Sequence, residues 1–134
     1  MQRVTGIGGI FIKSAQPDVI RAWYQQHQGL DLQPWGGTAF RWQTAGRSEL
    51  DGGATVWSVF EADSPYFAPS TAPFMVNYRV DDLHAMLAQL RAAGCTVDDK
   101  VDESEYGKFG WVMDPDGNRV ELWEPKNWDD KNKK

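Results

Sequence analysis

Glu121, His27, His84 and Cys95 are the residues of this chain whose type and local setting invite a chemical reading. Glu121 lies in the run Arg119-Val120-Glu121-Leu122-Trp123-Glu124-Pro125. If that run is a strand, Val120 and Leu122 share one face and Glu121 shares the other with Trp123. The apolar pair belongs under a helix, so Glu121 and Trp123 are expected on the open, concave side. Beside Trp and Met, desolvation favours the neutral acid unless a cation pairs with it. Such a carboxyl suits a general acid or base, or an anchor for a cationic ligand. His27 falls near a helix end and His84 in a helix's first turn, so both are expected at the surface. Cys95 is expected to be a small buried hydrophobe. The glycines of Gly6-Ile7-Gly8-Gly9 sit in a strand pattern with no following GK[ST], which argues against a phosphate cradle. They are expected to let a backbone or a ligand come close.

Aromatic residues form a second candidate set. Seven Trp in 134 residues exceed what a small core needs, and surplus Trp lines pockets or interfaces. Trp35, Trp42, Trp57, Trp111 and Trp123, with Phe40, Tyr66, Phe67, Tyr78 and Tyr106, supply the candidates; two or three are expected to line a cavity. Tyr66 and Phe67 lie in a proline-rich stretch that could act as a flap over it. Tyr106 and Lys108, on either side of Gly107, are expected at the rim.

The elements that must position these groups can be read from the same chain. Residues 4–13 read as a strand, and Gln16-Pro17-Asp18 ends it and opens a helix. Val19 and Trp23 form one stripe of that helix, with Ile20, Tyr24 and His27 beside it, and Gly29 stops it. Strands are expected at 38–43 and 54–61, with Gly52-Gly53 as the turn before the second. Residues 62–73, with three prolines, form a linker. Then the order restarts: strand Phe74–Val80, Asp81-Asp82 as helix cap, a helix with Leu83, Met86, Leu87 and Leu90 on one face, and Gly94 as its stop. A strand begins at Cys95–Val97, and residues 109–113 and 119–124 form a hairpin around Asp114-Pro115-Asp116-Gly117-Asn118.

Two modules of one strand, one helix and three strands therefore follow each other, and neither alone could bury its own sheet face. The expected fold is α+β: one domain over residues 1–126, with module one at about 4–62, a linker at 63–73, module two at about 74–125, and a polar tail at 127–134. The chain is 41% hydrophobic and 25% charged, as ordinary globular domains are. Its net charge of −5 argues against nucleic acid, and no apolar run is long enough to span a bilayer. One cysteine permits no internal disulfide, and the N-terminus lacks a signal-peptide pattern. A cytoplasmic protein is expected.

The stretch Tyr106–Pro125, above all DPDGNRVELWEP, resembles the closing hairpin of the vicinal-oxygen-chelate superfamily, the glyoxalase, bleomycin-resistance and dioxygenase group. The segment NYRVDDLHAMLAQLRAAG resembles the opening of that family's second module. The resemblance implies two βαβββ modules curled into a cup of mixed sheet. Metal-dependent members hold a divalent ion there through four His, Gln or Glu ligands. Carried onto this chain, the ligand positions fall on Gly9, Met75, Ser58 (Trp57 if the register slips by one) and Glu121. Only Glu121 can hold a hard metal, so no cofactor is expected, and a divalent metal would need ligands from elsewhere. The expected function is bleomycin-resistance-like binding of a small molecule of aromatic or cationic character by a homodimer. Glu121 is the candidate acid or base, and Trp123, Ser58, Met75, Gly9, Tyr66, Phe67, Tyr106 and Trp111 are the candidate ligand-binding residues. The alternative is a glyoxalase-like metal-dependent lyase, isomerase or dioxygenase.

Overall fold

Chain direction reverses at two helices that start and stop on local signals. The structure, a computed structural model, describes residues 1–41 and 53–126. After strand β1 (Val4–Ser14), helix α1 (Pro17–Gln28) begins with Pro17 at its first turn and ends at Gly29 in the left-handed region, φ 72°. Strands β2 (Gly37–Arg41) and β3 (Ala54–Glu61) complete module one among the described residues. The remainder of the 38–43 strand, Trp42, Gly52 and the tail 127–134 lie outside the described residues. Module two opens with β4 (Phe74–Val80) and α2 (Leu83–Ala92). The Asp82 carboxylate accepts from the Ala85 N–H at 3.0 Å, the expected cap. Beyond Gly94 (φ 84°) come β5 (Thr96–Val97), β6 (Asp102–Ser104), β7 (Gly107–Met113) and β8 (Arg119–Pro125). Module two thus has four strands after its helix rather than three, because the short β6 folds back on β7.

All eight strands of the described residues join one mixed sheet in the order β2-β3-β1-β4-β8-β7-β5, with β6 paired to β7. The two opening strands, β1 and β4, pair antiparallel at its centre, and each carries a parallel partner, β3 and β8. Both modules of one chain therefore build the cup together, and the expected α+β architecture is observed. The convex side is packed mainly by α2, whose Leu83, Met86 and Leu87 are buried with Val80 and Leu122. The leucine and valine alternation of β8 thus faces the helix, as its sequence required.

Helix α1 departs from expectation. Val19 is 57% and Trp23 47% exposed, and among its residues only Pro17 is fully buried. The helix leans on the sheet through the neighbouring stripe, where the Tyr24 ring lies 4.9 Å from that of Trp57. Arg21 also reaches inward, donating to the Gly36 and Val59 carbonyls at 3.0 and 2.8 Å. Cys95 is exposed rather than buried, because it follows Gly94 in the turn that leaves α2.

Burial on the two helices sets their sensitivity. Leu87→Ala should cost about 2–5 kcal/mol of unfolding free energy, whereas Val19→Lys should stay within about 0.5 kcal/mol. Urea melts of both variants check this contrast; a comparable loss in Val19→Lys would mean that α1 is covered.

Candidate functional site

Strand parity directs Glu121 into the cup, where it would be an unpaired buried charge without donors. It is 1% exposed, and three side chains from three segments supply hydrogens to it. Asn77 Nδ2 of β4 donates to Oε1 at 2.6 Å. Trp111 Nε1 of β7 donates to Oε2 at 2.9 Å, and the Tyr66 hydroxyl donates to the same oxygen. Tyr66 sits in a single 3₁₀ turn, Pro65–Phe67, whose N–H is capped by the Ser64 hydroxyl at 3.3 Å. Behind Trp111, the Arg119 guanidinium lies 4.8 Å from the ring centroid, and its Nη1 is held by Asp98 at 3.2 Å.

The ionisation of the cluster follows from this packing. Burial pushes the Glu121 carboxyl above its ordinary 4.5, while the bonds from Tyr66, Asn77 and Trp111 and the charge of Arg119 pull it down; burial prevails. Burial first, and the Glu121 charge second, push Tyr66 upward, so its hydroxyl stays protonated and donates. Asn77 is 2% exposed, and its Oδ1 has no hydrogen-bond partner among the described residues.

Next to the carboxyl lies a cavity of about 300 Å³. Phe11, Val56, Phe60 and Gly8 form its module-one side, and Asn77, Glu121, Trp123, Phe109 and Tyr106 its module-two side, with Tyr66 from the linker. Two parallel ring pairs stiffen it: Phe109 with Trp123 (centroids 6.0 Å apart, 7° between planes) and Phe60 with Tyr66 (5.5 Å, 12°). Trp123 is fixed by its Nε1, which donates to the Tyr106 carbonyl at 2.8 Å.

Glu121, Trp123, Tyr66 and Tyr106 of the expected set line this cavity. Phe67, Met75 and Trp111 do not; with Phe11 they form the buried cluster beneath it, 0%, 1% and 2% exposed. The linker is therefore pinned rather than a free flap, by Phe67 in that cluster and by Tyr66 on Glu121. Gly9 does not leave an empty place, because a Cβ there would come within 2.8–2.9 Å of the Phe11 ring, which already occupies the space. An irregularity in the β1–β4 pairing between Ile7 and Gly9 brings Gly8 to the cavity wall instead. Ser58 pairs with Phe11 as Glu121 pairs with Asn77, so it is the positional counterpart of Glu121. Trp57, against Tyr24, faces the other way. His27 and His84 are exposed, and His84 Nε2 lies 3.7 Å from Glu103. Asn77, Phe60, Phe11, Val56 and Phe109 were missed. Asn77 carried a signal: it is the polar residue in the middle of Phe-Met-Val-Asn-Tyr-Arg-Val, with the parity of Met75.

The donor set does not fit a divalent metal. The carboxylate lone pairs are met by O–H and N–H hydrogens, which repel a cation, and the other expected ligand positions carry Gly9, Met75 and Ser58, none of them a carboxylate or an imidazole. Among the described residues, no group of three or more His, Cys, Asp or Glu gathers to hold an ion.

A raised acid makes a signed prediction. Glu121 in its neutral form contributes stability that is fully present below the ordinary 4.5 and is lost as pH rises through the higher folded value. Unfolding free energies of wild type and Glu121→Gln, measured by urea melts from pH 4.5 to 9, should therefore diverge in one direction. The wild type loses ground to the variant as pH rises. A difference independent of pH would show that the carboxyl is not raised.

This geometry can be set beside known proteins. The family model described as a glyoxalase-like domain matches residues 9–123. No curated protein is matched. Among solved structures, methylmalonyl-CoA epimerase from Mycobacterium tuberculosis is similar with a TM-score of 0.63 and 21% identity, over 92% of this chain and 89% of that one. A methylmalonyl-CoA epimerase in complex with methylmalonyl-CoA and ammonium gives 0.66 and 19%, over 92% and 96%. A glyoxalase/bleomycin resistance protein/dioxygenase superfamily member from Vibrio splendidus gives 0.54 and 14%, over 92% and 99%. At such identities the likeness to these structures is one of fold. With most of its length under the family model and this cup at its centre, the chain belongs to the glyoxalase-like domain family of the vicinal-oxygen-chelate superfamily.

Proposed function

We propose that this chain binds a small, flat, mostly apolar molecule in its cup, against the buried Glu121 carboxyl and without a divalent metal. The observation that carries the reading is the pairing of one fenced carboxyl with an aromatic-walled cavity of about 300 Å³. Ligand sites are typically concave, apolar and furnished with few, well-placed polar groups. The methylmalonyl-CoA epimerase in complex with methylmalonyl-CoA supports the use of this fold for small molecules, though not that substrate here. Homodimer formation belongs to the same reading, supported by exposed Val19, Trp23, Trp35 and Phe40. So does a cytoplasmic setting, supported by the single cysteine; no helix among the described residues is long and apolar enough to cross a membrane.

A second reading, metal-free acid–base chemistry by Glu121 on the bound molecule, is favoured by one observation. Its carboxyl is raised and hydrogen-bonded to a hydroxyl, a setting that suits a group holding and returning a proton.

Two measurements test the binding reading. Elemental analysis of protein purified without chelator should find divalent metal well below one equivalent; a stoichiometric ion lost in Glu121→Ala would sink the metal-free cup. Naphthalenemethanol should quench Trp fluorescence saturably, and Val56→Trp, which fills the cavity from β3, should weaken that binding by about tenfold or more. Equal affinity in wild type and Val56→Trp would place the ligand elsewhere.

A further inference from the structure

Tyr66 and Phe60 have a second side. Beyond them lies another cavity, of about 460 Å³, which they share with the cup. Its remaining walls include Ser64, Trp111, Lys100 and Arg119. The apolar cup and a cleft with two cations thus meet at one pair of stacked rings. Arg119 arrives there because it stands two residues before Glu121 on β8 and shares its face. Its side chain is 11% exposed.

The guanidinium is only partly satisfied. Nη1 donates to Asp98 Oδ2 at 3.2 Å, but the buried Nε has no acceptor among the described residues. Buried N–H groups left without a partner are uncommon, and this one belongs to a residue that lines the cleft. The acids nearby are already engaged. Asp98 also accepts the Lys100 N–H at 3.0 Å, and these two bonds hold its carboxyl below the usual range. Asp102 stands 3.8 Å from Lys100 Nζ, and both side chains are half-exposed or more, so solvent weakens that pair and Lys100 can turn to another anion. Arginine with one nitrogen held by Asp98 still offers its Nε edge, whose geometry matches a carboxylate or phosphate.

We propose that this second cavity is an anion subsite, taking the carboxylate or phosphate of the molecule whose apolar part fills the cup, with the Arg119 Nε edge and Lys100 as donors. The inference rests on the cup being a ligand pocket. It departs from the sign suggested by the net charge of −5: the ligand is an amphipathic acid, met by the N–H donors of Arg119 and Lys100, whose charges Asp98 and Asp102 bring near balance. Glu121 does not oppose this, since its carboxyl is already fenced by three donors and lies beyond Trp111 from the guanidinium.

The test uses the full chain and five probes of one ring system: naphthalenemethanol, naphthylmethylammonium, naphthoate, naphthylacetate and naphthyl phosphate. Titration calorimetry gives each affinity at low and physiological salt. At least one anion should bind about tenfold tighter than the alcohol, with an advantage that shrinks as salt rises, and the better anion class identifies the source. In Lys100→Gln and in Arg119→Lys, which keeps the charge but removes the Nε edge, the ratio of anion to alcohol affinity should collapse toward one. Using the ratio removes any general loss of fold from the comparison. The proposal is overturned if the alcohol matches every anion, if the ammonium binds tightest, or if both variants keep the ratio. Binding of the alcohol in those cases leaves the cup reading standing; failure of all five probes overturns both.

Discussion

A carboxyl buried to 1% exposure cannot remain in a protein unless hydrogens are brought to it, and the arrangement of this molecule follows from meeting that demand at Glu121. The hydrogens come from the linker (Tyr66), the opening strand of module two (Asn77) and the neighbouring strand of its hairpin (Trp111). Each donor is then fixed by something further out. Trp111 is held face-on by Arg119, and Arg119 by Asp98, so the polar cluster extends from the cup to the surface. Asn77 needs room above β1, which Gly8 provides, since a Cβ there would collide with the amide oxygen. Substitutions at Gly8, Arg119 or Asp98 are thus coupled to the state of one acid they do not touch.

The near-twofold repeat makes the imbalance of the cup plain. Ser58 stands where Glu121 stands in the other half, and Phe11 where Asn77 does. Module one therefore supplies apolar wall and module two supplies polar floor, although their strand registers correspond. An evenly polar cup would need a second set of donors, and an evenly apolar one would fix no orientation for a ligand. The linker closes the gap between halves by stacking Tyr66 on Phe60 of one module while its hydroxyl serves the other.

How far this was legible from sequence depended on whether a signal was local. Glu121 could be aimed into the cup because Val120 and Leu122 on either side demand a helix above them, and α2 provides it. The caps at Asp82, Gly29 and Gly94 were equally readable, since each end is specified within a few residues. The Val19–Trp23 stripe misled because periodicity shows that a helix has an apolar side without showing what lies against it. Cys95 misled because its type favours burial while its place in a turn does not. The bond from Tyr66 joins residues 55 positions apart and depends on the path of a proline-rich linker, for which no pattern in the sequence speaks. The shift that puts Gly8 rather than Gly9 at the wall comes from an irregularity in β1, and strand alternation assumes none.

The same fence shows what three protein donors do for a buried acid. A divalent cation bound to a carboxylate fixes its orientation and offsets its burial through concentrated charge. Three X–H dipoles achieve the first by geometry and the second in part, since desolvation still leaves the carboxyl raised. The residual preference for the neutral acid matters for whatever enters the cup. A carboxyl raised by burial asks less of a cation than a free carboxylate does, and in the proposed reading the sign of the ligand is left to the adjoining cleft, which Arg119 and Lys100 border.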